Sequence, residues 1–446
     1  MPNRISFRRN FNNTSSKIYG VSWTHASSPV LTRTDAAVGM VAAAGLDAGV
    51  VVNNFDTAEI YKDITEVTDS LGNVFVRIPK FWIEKTDDGA TVATWRISKR
   101  RFGSAYLPKC FVSTGGAELP YIDVGKYNAS LNGANKLESL SGKYPLINKN
   151  IVDFRGYAQA NGAGYQQLDI HVVDVLQTLF MVEFATLNGQ SIMAGYTSGE
   201  YLVTDTATVA ENAVNRIVVL NAVAATFVVG QAISCGTALG GIQVFYGRTI
   251  TSIDVYDATQ KAISFDGAAV NIAVGNIIWS SGWKSGFSAG VTAKSGGITS
   301  LSSGKYPCAY RGIENPWGSV YEFVDGVNIN ERQAWVCVDA VNYASNLFAA
   351  PYEVLGYVNG STDGYSKALG FDVVHPYAQF PIVVAGGADS THYYSDYYYS
   401  AVGQKIALLG GYWYGGSSAG LFFWNLASAS SNAYILFSGR LLKKPL

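Results

Sequence analysis

Short alternations of apolar and polar residues, separated by Gly- and Asn-rich turns, run through most of the chain, and this period of two predicts strands. Residues 74–83 (VFVRIPKFWI) read as one strand entered through a turn at 69–73. Asp87-Asp88-Gly89 then reads as a hairpin turn, with 91–97 returning as the second strand. A weaker strand pair is expected within 112–121, around Gly115-Gly116. The period changes over 165–186, where Leu168, Val172, Val175, Leu176, Leu179, Phe180 and Phe184 recur largely at spacings of three and four. That spacing predicts a helix, ended by Asn188-Gly189. His171 and Asp174 lie one turn apart on it and read as part of its solvated face, because no third group at metal-ligand spacing accompanies them.

Strand-like runs return at 217–220, 226–229, 232–234, 248–253 and 262–265, punctuated by Gly230, Gly240-Gly241 and Gly275. They predict a small β-barrel or sandwich inserted at a surface loop of a host domain. Residues 282–304 and 356–370 read as loops and 335–338 as a strand. Near the start, Arg4, Ser6 and Arg8 alternate with Ile5 and Phe7 as a short edge strand does, and 36–46 reads as a short helix or a packed Ala/Gly/Val stretch. The resulting division is an N-terminal attachment or oligomerisation segment (1–70), a host domain in two parts (71–200 and 284–446), and the inserted module (201–283).

Composition narrows the class. The chain has 446 residues, 48% of them hydrophobic and only 15% charged, with 47 glycines; this suits a turn-rich β protein and argues against disorder. A net charge of −1 leaves no basic surplus for nucleic-acid binding. Arg8-Arg9, Lys99-Arg100-Arg101 and Lys443-Lys444 read as solvated ends or loops. Cys110, Cys235, Cys308 and Cys337 are scattered with no CxxC spacing, so free thiols are expected rather than a zinc knuckle or a dithiol motif. The opening residues lack an apolar signal region, and the Gly/Ala-rich run at 36–52 contains Asp47, which makes it a poor membrane span. A place of work outside the cell would then be reached by another route, such as release with assembled virions at lysis.

The last fifty or so residues have a different character. Tyr393, Tyr394, Tyr397, Tyr398 and Tyr399 crowd together, followed by Gly410-Gly411-Tyr412-Trp413-Tyr414-Gly415-Gly416, a small-residue turn at 417–420, Leu421-Phe422-Phe423-Trp424, a Ser/Ala/Asn-rich segment, and Gly439-Arg440-Leu441. Tyr, Ser, Gly and Asn are the residues of binding loops: Tyr supplies rigid contact area, and the others adapt their hydrogen bonds. Alternation turns Tyr412 and Tyr414 to one face and Trp413 to the other.

This run resembles the C-terminal end of the C-type-lectin-like fold of formylglycine-generating-enzyme relatives, and in particular phage tail receptor-binding proteins and the variable proteins diversified by retroelements. A second stretch, residues 311–326 (RGIENPWGSVYEFVDG), is similar to that family's Gly-Asn-Val-Trp-Glu-Trp-like motif, with Trp317, Val320, Tyr321 and Phe323 at the apolar positions and Glu322 as a buried structural acceptor. The resemblance implies an α+β fold in which the helix packs on a mixed sheet, a scaffold role for Trp413 and Trp424, and assembly as a homotrimer. In retroelement-diversified relatives the contact positions derive from asparagine codons, which can become Tyr, Ser, Phe, Gly or Asp but not Trp.

Catalysis is not expected. The family's oxidases use a closely spaced cysteine pair in the C-terminal region, and no cysteine follows Cys337 here. His25, His171, His375 and His392 make no paired ligand motif, and no Gly-x-Ser-x-Gly elbow occurs. Trp424-Asn425-Leu426 and Glu314-Asn315-Pro316 depart from the calcium-binding sets of true C-type lectins. No cofactor or metal is therefore expected. The expected function is recognition of a bacterial surface molecule, protein or glycan, by a tail protein of a phage or prophage virion, without membrane insertion. Tyr393, Tyr397, Tyr398, Tyr412, Tyr414, Phe423 and Asn425 are the expected contacts. The alternatives are an oxidase of the formylglycine-generating-enzyme superfamily and a structural tail or baseplate component.

Overall fold

Among the described residues two helices longer than a single turn, α1 (Ile151–Gln159) and α2 (Ile170–Phe184), stand among many short strands. The computed structural model describes residues 16–24, 28–46, 49–88, 91–355, 363–385 and 396–446. Tyr393, the expected strand at 4–8 and the tip of the hairpin at Gly89 lie outside these.

α2 is the centre of the main core. Every one of its residues is buried, so the apolar spacing read from the sequence marks a helix enclosed on all sides. Its polar residues are tied off internally. His171 donates from Nε2 to the Cys337 carbonyl at 2.9 Å. Asp174 pairs with the buried ammonium of Lys85 and accepts from the Tyr106 hydroxyl at 2.9 Å. Gln177 donates to the Leu421 carbonyl at 3.0 Å, and Glu183 accepts from Arg311 Nε at 2.9 Å. The expected solvated face at His171 and Asp174 is thus corrected: a polar side chain can face the core where a partner from another strand meets it. The helix starts at an Asp169 cap and ends at Ala185 in a left-handed conformation (φ 52°), before the expected Asn188-Gly189 stop. Tyr165–Gln167, expected as its first turn, is a strand.

Around α2 lie three sheets. In one, Ile18–Trp23 runs between Thr32–Asp35 and Ala93–Ser98, which pairs in turn with Trp82–Asp87. In another, Leu441–Lys443 near the chain's end lies between Tyr165–Gln167 and Tyr121–Gly125, followed by Val74–Pro79 and Thr65–Thr68. The expected single strand at 74–83 is therefore two strands in different sheets, broken after Pro79, which has no N–H to donate to a ladder. Ile18–Trp23, Thr32–Asp35 and Thr65–Thr68 are strands of these sheets, and Tyr19, Val21 and Trp23 share the core with α2. The stretch at 36–46 forms turns and a two-residue strand, with no helix.

The third sheet is mixed. Its order among the described residues is Glu353–Val354, Gln333–Val336, Tyr321–Asn330, Gln404–Leu409, Trp424–Ser428, Tyr397–Ser400, Gly364–Phe371 and Gln379–Ala385, with Phe437–Ser438 pairing parallel to Tyr321–Asn330. Gly364–Phe371 falls in what was expected to be loop. One face of this sheet (Val324, Ala407, Leu409, Tyr398, Trp424) lies against the α2 core. The other face (Tyr321, Phe323, Ile406, Leu408) is covered over its centre by α1 through Ile151, Phe154 and Ala158.

Residues between Glu200 and Ser280 carry their own sheet, ordered Arg216–Leu220, Gln260–Phe265, Phe245–Val255, Ala232–Gly236, Ile277–Ser280, and their own hydrophobic cluster, including Ile217, Val219, Ile233, Ile263 and Ile278. Residues 226–229, expected as a strand, form a turn after a short helix, Asn221–Ala224. Ser280 donates from its backbone N–H to the Glu200 carbonyl at 2.8 Å, so the two ends of the segment meet. No helix among the described residues is long and apolar enough to cross a membrane.

Candidate functional site: a ribbon of tyrosines

The mixed sheet brings the C-terminal tyrosines together by register. Tyr397–Ser400 pairs parallel with Trp424–Ser428, placing Tyr398 beside Trp424 and Tyr399 beside Asn425. Side chains alternate across a strand, so Tyr398 and Trp424 point to the α2 core while Tyr397, Tyr399 and Asn425 point away from it. Tyr398 is only 2% exposed, whereas Tyr397, Tyr399 and Asn425 are half-buried.

Tyr412 and Tyr414 reach the same region from the turn that follows Gln404–Leu409. Gly410 and Gly411 both have positive φ, and a Cβ on Gly411 would sit 2.5 Å from that of Ala419. This double-glycine exit ends the strand at Leu409. It drives Trp413 into a pocket with Tyr196, Trp283 and Val320 and leaves Tyr412 and Tyr414 half-buried on the outside. The opposed orientation expected for Trp413 and its neighbours is found, although on a turn rather than a strand.

The rings form one continuous series. Centroids are 4.9 Å apart for Tyr365 and Tyr397, 4.5 Å for Tyr397 and Tyr399, and 5.8 Å for Tyr399 and Phe423. The series continues from Phe423 to Tyr321 at 5.4 Å, Tyr321 to Tyr412 at 4.8 Å and Tyr412 to Tyr414 at 4.5 Å. It closes on Tyr201, stacked on Tyr414 at 4.7 Å. These separations suit favourable aromatic pairing, so the rings hold one another in place. Asn425 accepts from the Ala427 N–H at 3.0 Å, at the start of the Ser/Asn loop. Beyond it Tyr434 is 52% exposed.

Burial raises the pKa of the surfacing phenols Tyr397, Tyr399, Tyr412 and Tyr414. Tyr399 is pushed up to about 12, first by burial and then by Tyr412 and Tyr397 beside it. Tyr397, Tyr412 and Tyr414 are raised for the same leading reason. At neutral pH the ribbon therefore offers uncharged hydroxyls and π-faces.

Two of the expected contacts are corrected. Tyr398 faces the α2 core, and Phe423, 1% exposed, lies beneath the ribbon as a support. Tyr397, Tyr412, Tyr414 and Asn425 do converge. Tyr399 and Tyr201 join them unanticipated. Alternation could have found Tyr399, since it shares a face with Tyr397; nothing local pointed to Tyr201, which comes from the base of the inserted segment.

Glu322, on the 311–326 stretch, is a buried acceptor as expected. It takes hydrogen bonds from Asn128 at 2.6 Å and from Arg440 through both Nε, at 3.1 Å, and Nη2, while the same guanidinium also donates to carbonyls including those of Gly125 and Glu314. Among the described residues no group of three or more His, Cys, Asp or Glu side chains is arranged to hold a metal ion. No protein-family model matches the chain, and neither does any curated protein.

Proposed function

We propose that the chain is a receptor-binding tail protein of a phage or prophage, built on a lectin-like domain of the formylglycine-generating-enzyme type. It binds a bacterial surface molecule reversibly through the tyrosine ribbon. The observation that carries this reading is the continuous set of rings surfacing at Tyr397, Tyr399, Tyr412 and Tyr414 beside the Ser/Asn loop. Preordered aromatic groups lose little entropy on binding, and neutral hydroxyls over π-faces suit a sugar ring or a protein surface equally. The helix packed on a mixed sheet supports the lectin-like part of the reading. The division between buried Trp413 and Trp424 and half-buried Tyr and Asn positions fits diversification from asparagine codons. Assembly as a trimer would multiply weak single-site contacts.

The test is binding of the full chain to a panel of bacterial cells, comparing wild type with a Tyr412→Ala, Tyr414→Ala double variant. Loss of two aromatic anchors should weaken binding about tenfold or more, with the far-UV spectrum unchanged. Equal cell binding by the folded double variant sinks the adhesin reading and favours a structural tail component.

A further inference from the structure

A second site lies away from the ribbon, in a cleft of about 600 Å³ between the Trp82–Asp87 strand, the 101–112 segment and the turn at 371–377. Its floor is closed. Lys85 Nζ, fully buried, pairs with Asp174 and donates to the Pro376 carbonyl at 2.9 Å, and the Tyr106 hydroxyl lies 2.9 Å from both Asp174 and Pro376 O. The Lys85 charge is therefore neutralised within the wall. The rim is different. Among the described residues Arg101 and Lys109 stand in no ion pair. Arg101 lies 5.6 Å over the Trp82 ring and Lys109 lies 5.4 Å over the Tyr377 ring. Val373 and Val374, also in the lining, are 88% and 72% exposed and supply an apolar edge.

We propose that this cleft binds a sugar carrying a carboxylate, such as a uronic acid unit of an acidic glycan. Two cations in the lining that stand in no ion pair among the described residues call for an anion, and the Arg101 fork matches a carboxylate. The exposed valines give an apolar wall for the C–H face of a pyranose. The volume falls within the range of small-molecule sites. Asp372 and Glu353 lie near Tyr377 but do not line the cleft, so its lining charge remains positive. The cleft shares no residue with the tyrosine ribbon, and this inference does not rest on the adhesin reading.

Calorimetric titration of the full chain with D-glucuronate, glucose and inorganic phosphate tests it. Saturable binding of glucuronate, weakened by salt and clearly stronger than that of glucose or phosphate, is expected. An Arg101→Ala, Lys109→Ala double variant, altered only on the rim, should lose roughly tenfold in glucuronate affinity, the scale of one charge-assisted hydrogen bond. The Tyr412→Ala, Tyr414→Ala variant should retain glucuronate binding, which separates the two sites. Equal binding of glucose overturns the need for an anion, equal binding of phosphate overturns the sugar, and unchanged affinity in the rim variant overturns the site.

Discussion

Tyr398 and Tyr399 are adjacent, chemically identical, and end on opposite faces of one sheet. Composition cannot separate them; the period of the strand and the side on which α2 lies do. Asp205 shows the same dependence on surroundings. Its Oδ2 is buried without a hydrogen-bond partner, and burial, followed by the charge of Glu200, raises its pKa from 3.8 to about 6. A carboxyl raised on folding contributes stability that is fully present below its unfolded pKa and is lost as pH rises through the folded value. Asp205→Asn removes that loss. Thermal unfolding should therefore show the variant gaining on wild type as pH rises from about 4 to about 6, between the unfolded and folded pKa values, with little further change up to pH 8. A gap that stays constant across this range would show that the carboxyl does not titrate as described.

α1 is an element the apolar pattern did not announce. It is nine residues long, and Gly156 interrupts it, so a window scaled to longer helices passes over it. A local signal was nevertheless present: Asn150 and Asp153 form a reciprocal cap. The Asn150 side chain accepts from the N–H groups of Val152 and Asp153 at 2.9 and 3.0 Å, and Asp153 accepts from the Asn150 N–H at 3.2 Å. The helix then seats Phe154 on Phe323, with centroids 5.3 Å apart, beneath the same sheet face that carries the ribbon. Asn150→Ala should cost about 1 kcal/mol in urea unfolding, and Asn150→Ser should recover most of it. If Ser fares no better than Ala, the side-chain cap is not what stabilises this end.

At the level of the entire chain, early and late segments are interleaved. Leu441–Lys443 completes a sheet begun by Thr65–Thr68, and Arg440 ties that region to Glu322. Removal of Leu441–Lys443 would therefore open a sheet. The segment from Glu200 to Ser280 is the exception, because its ends meet and its core is its own. Its side contacts with the body include Gln231 with the Tyr196 hydroxyl at 2.7 Å, Tyr144 with Thr249 at 2.7 Å and with the Tyr246 ring at 6.5 Å, the ion pair of Lys284 with Asp266, and the stacking of Tyr201 on Tyr414. Replacing residues 201–279 by a short Gly/Ser linker should leave a body that unfolds in one cooperative transition near the wild-type temperature. Loss of cooperativity in calorimetry would show instead that the segment is part of the body's core.

Residue order alone sufficed wherever the cause was local. The hairpin after Trp82 followed from alternation and a turn, α2 from its spacing, the opposed orientation of Trp413 and its two flanking tyrosines from their alternation, and most strands of the inserted segment from their Gly punctuation. Other features depended on partners distant in sequence. Lys85 and Arg311 turned the polar positions of α2 into buried ties, the break after Pro79 sent one apolar run into two sheets, and the pairing of Tyr397–Ser400 with Trp424–Ser428 selected which tyrosines surface. Periodicity tells a side chain which neighbours share its face. Which face meets water is set by what packs against the other, and that comes from elsewhere in the chain.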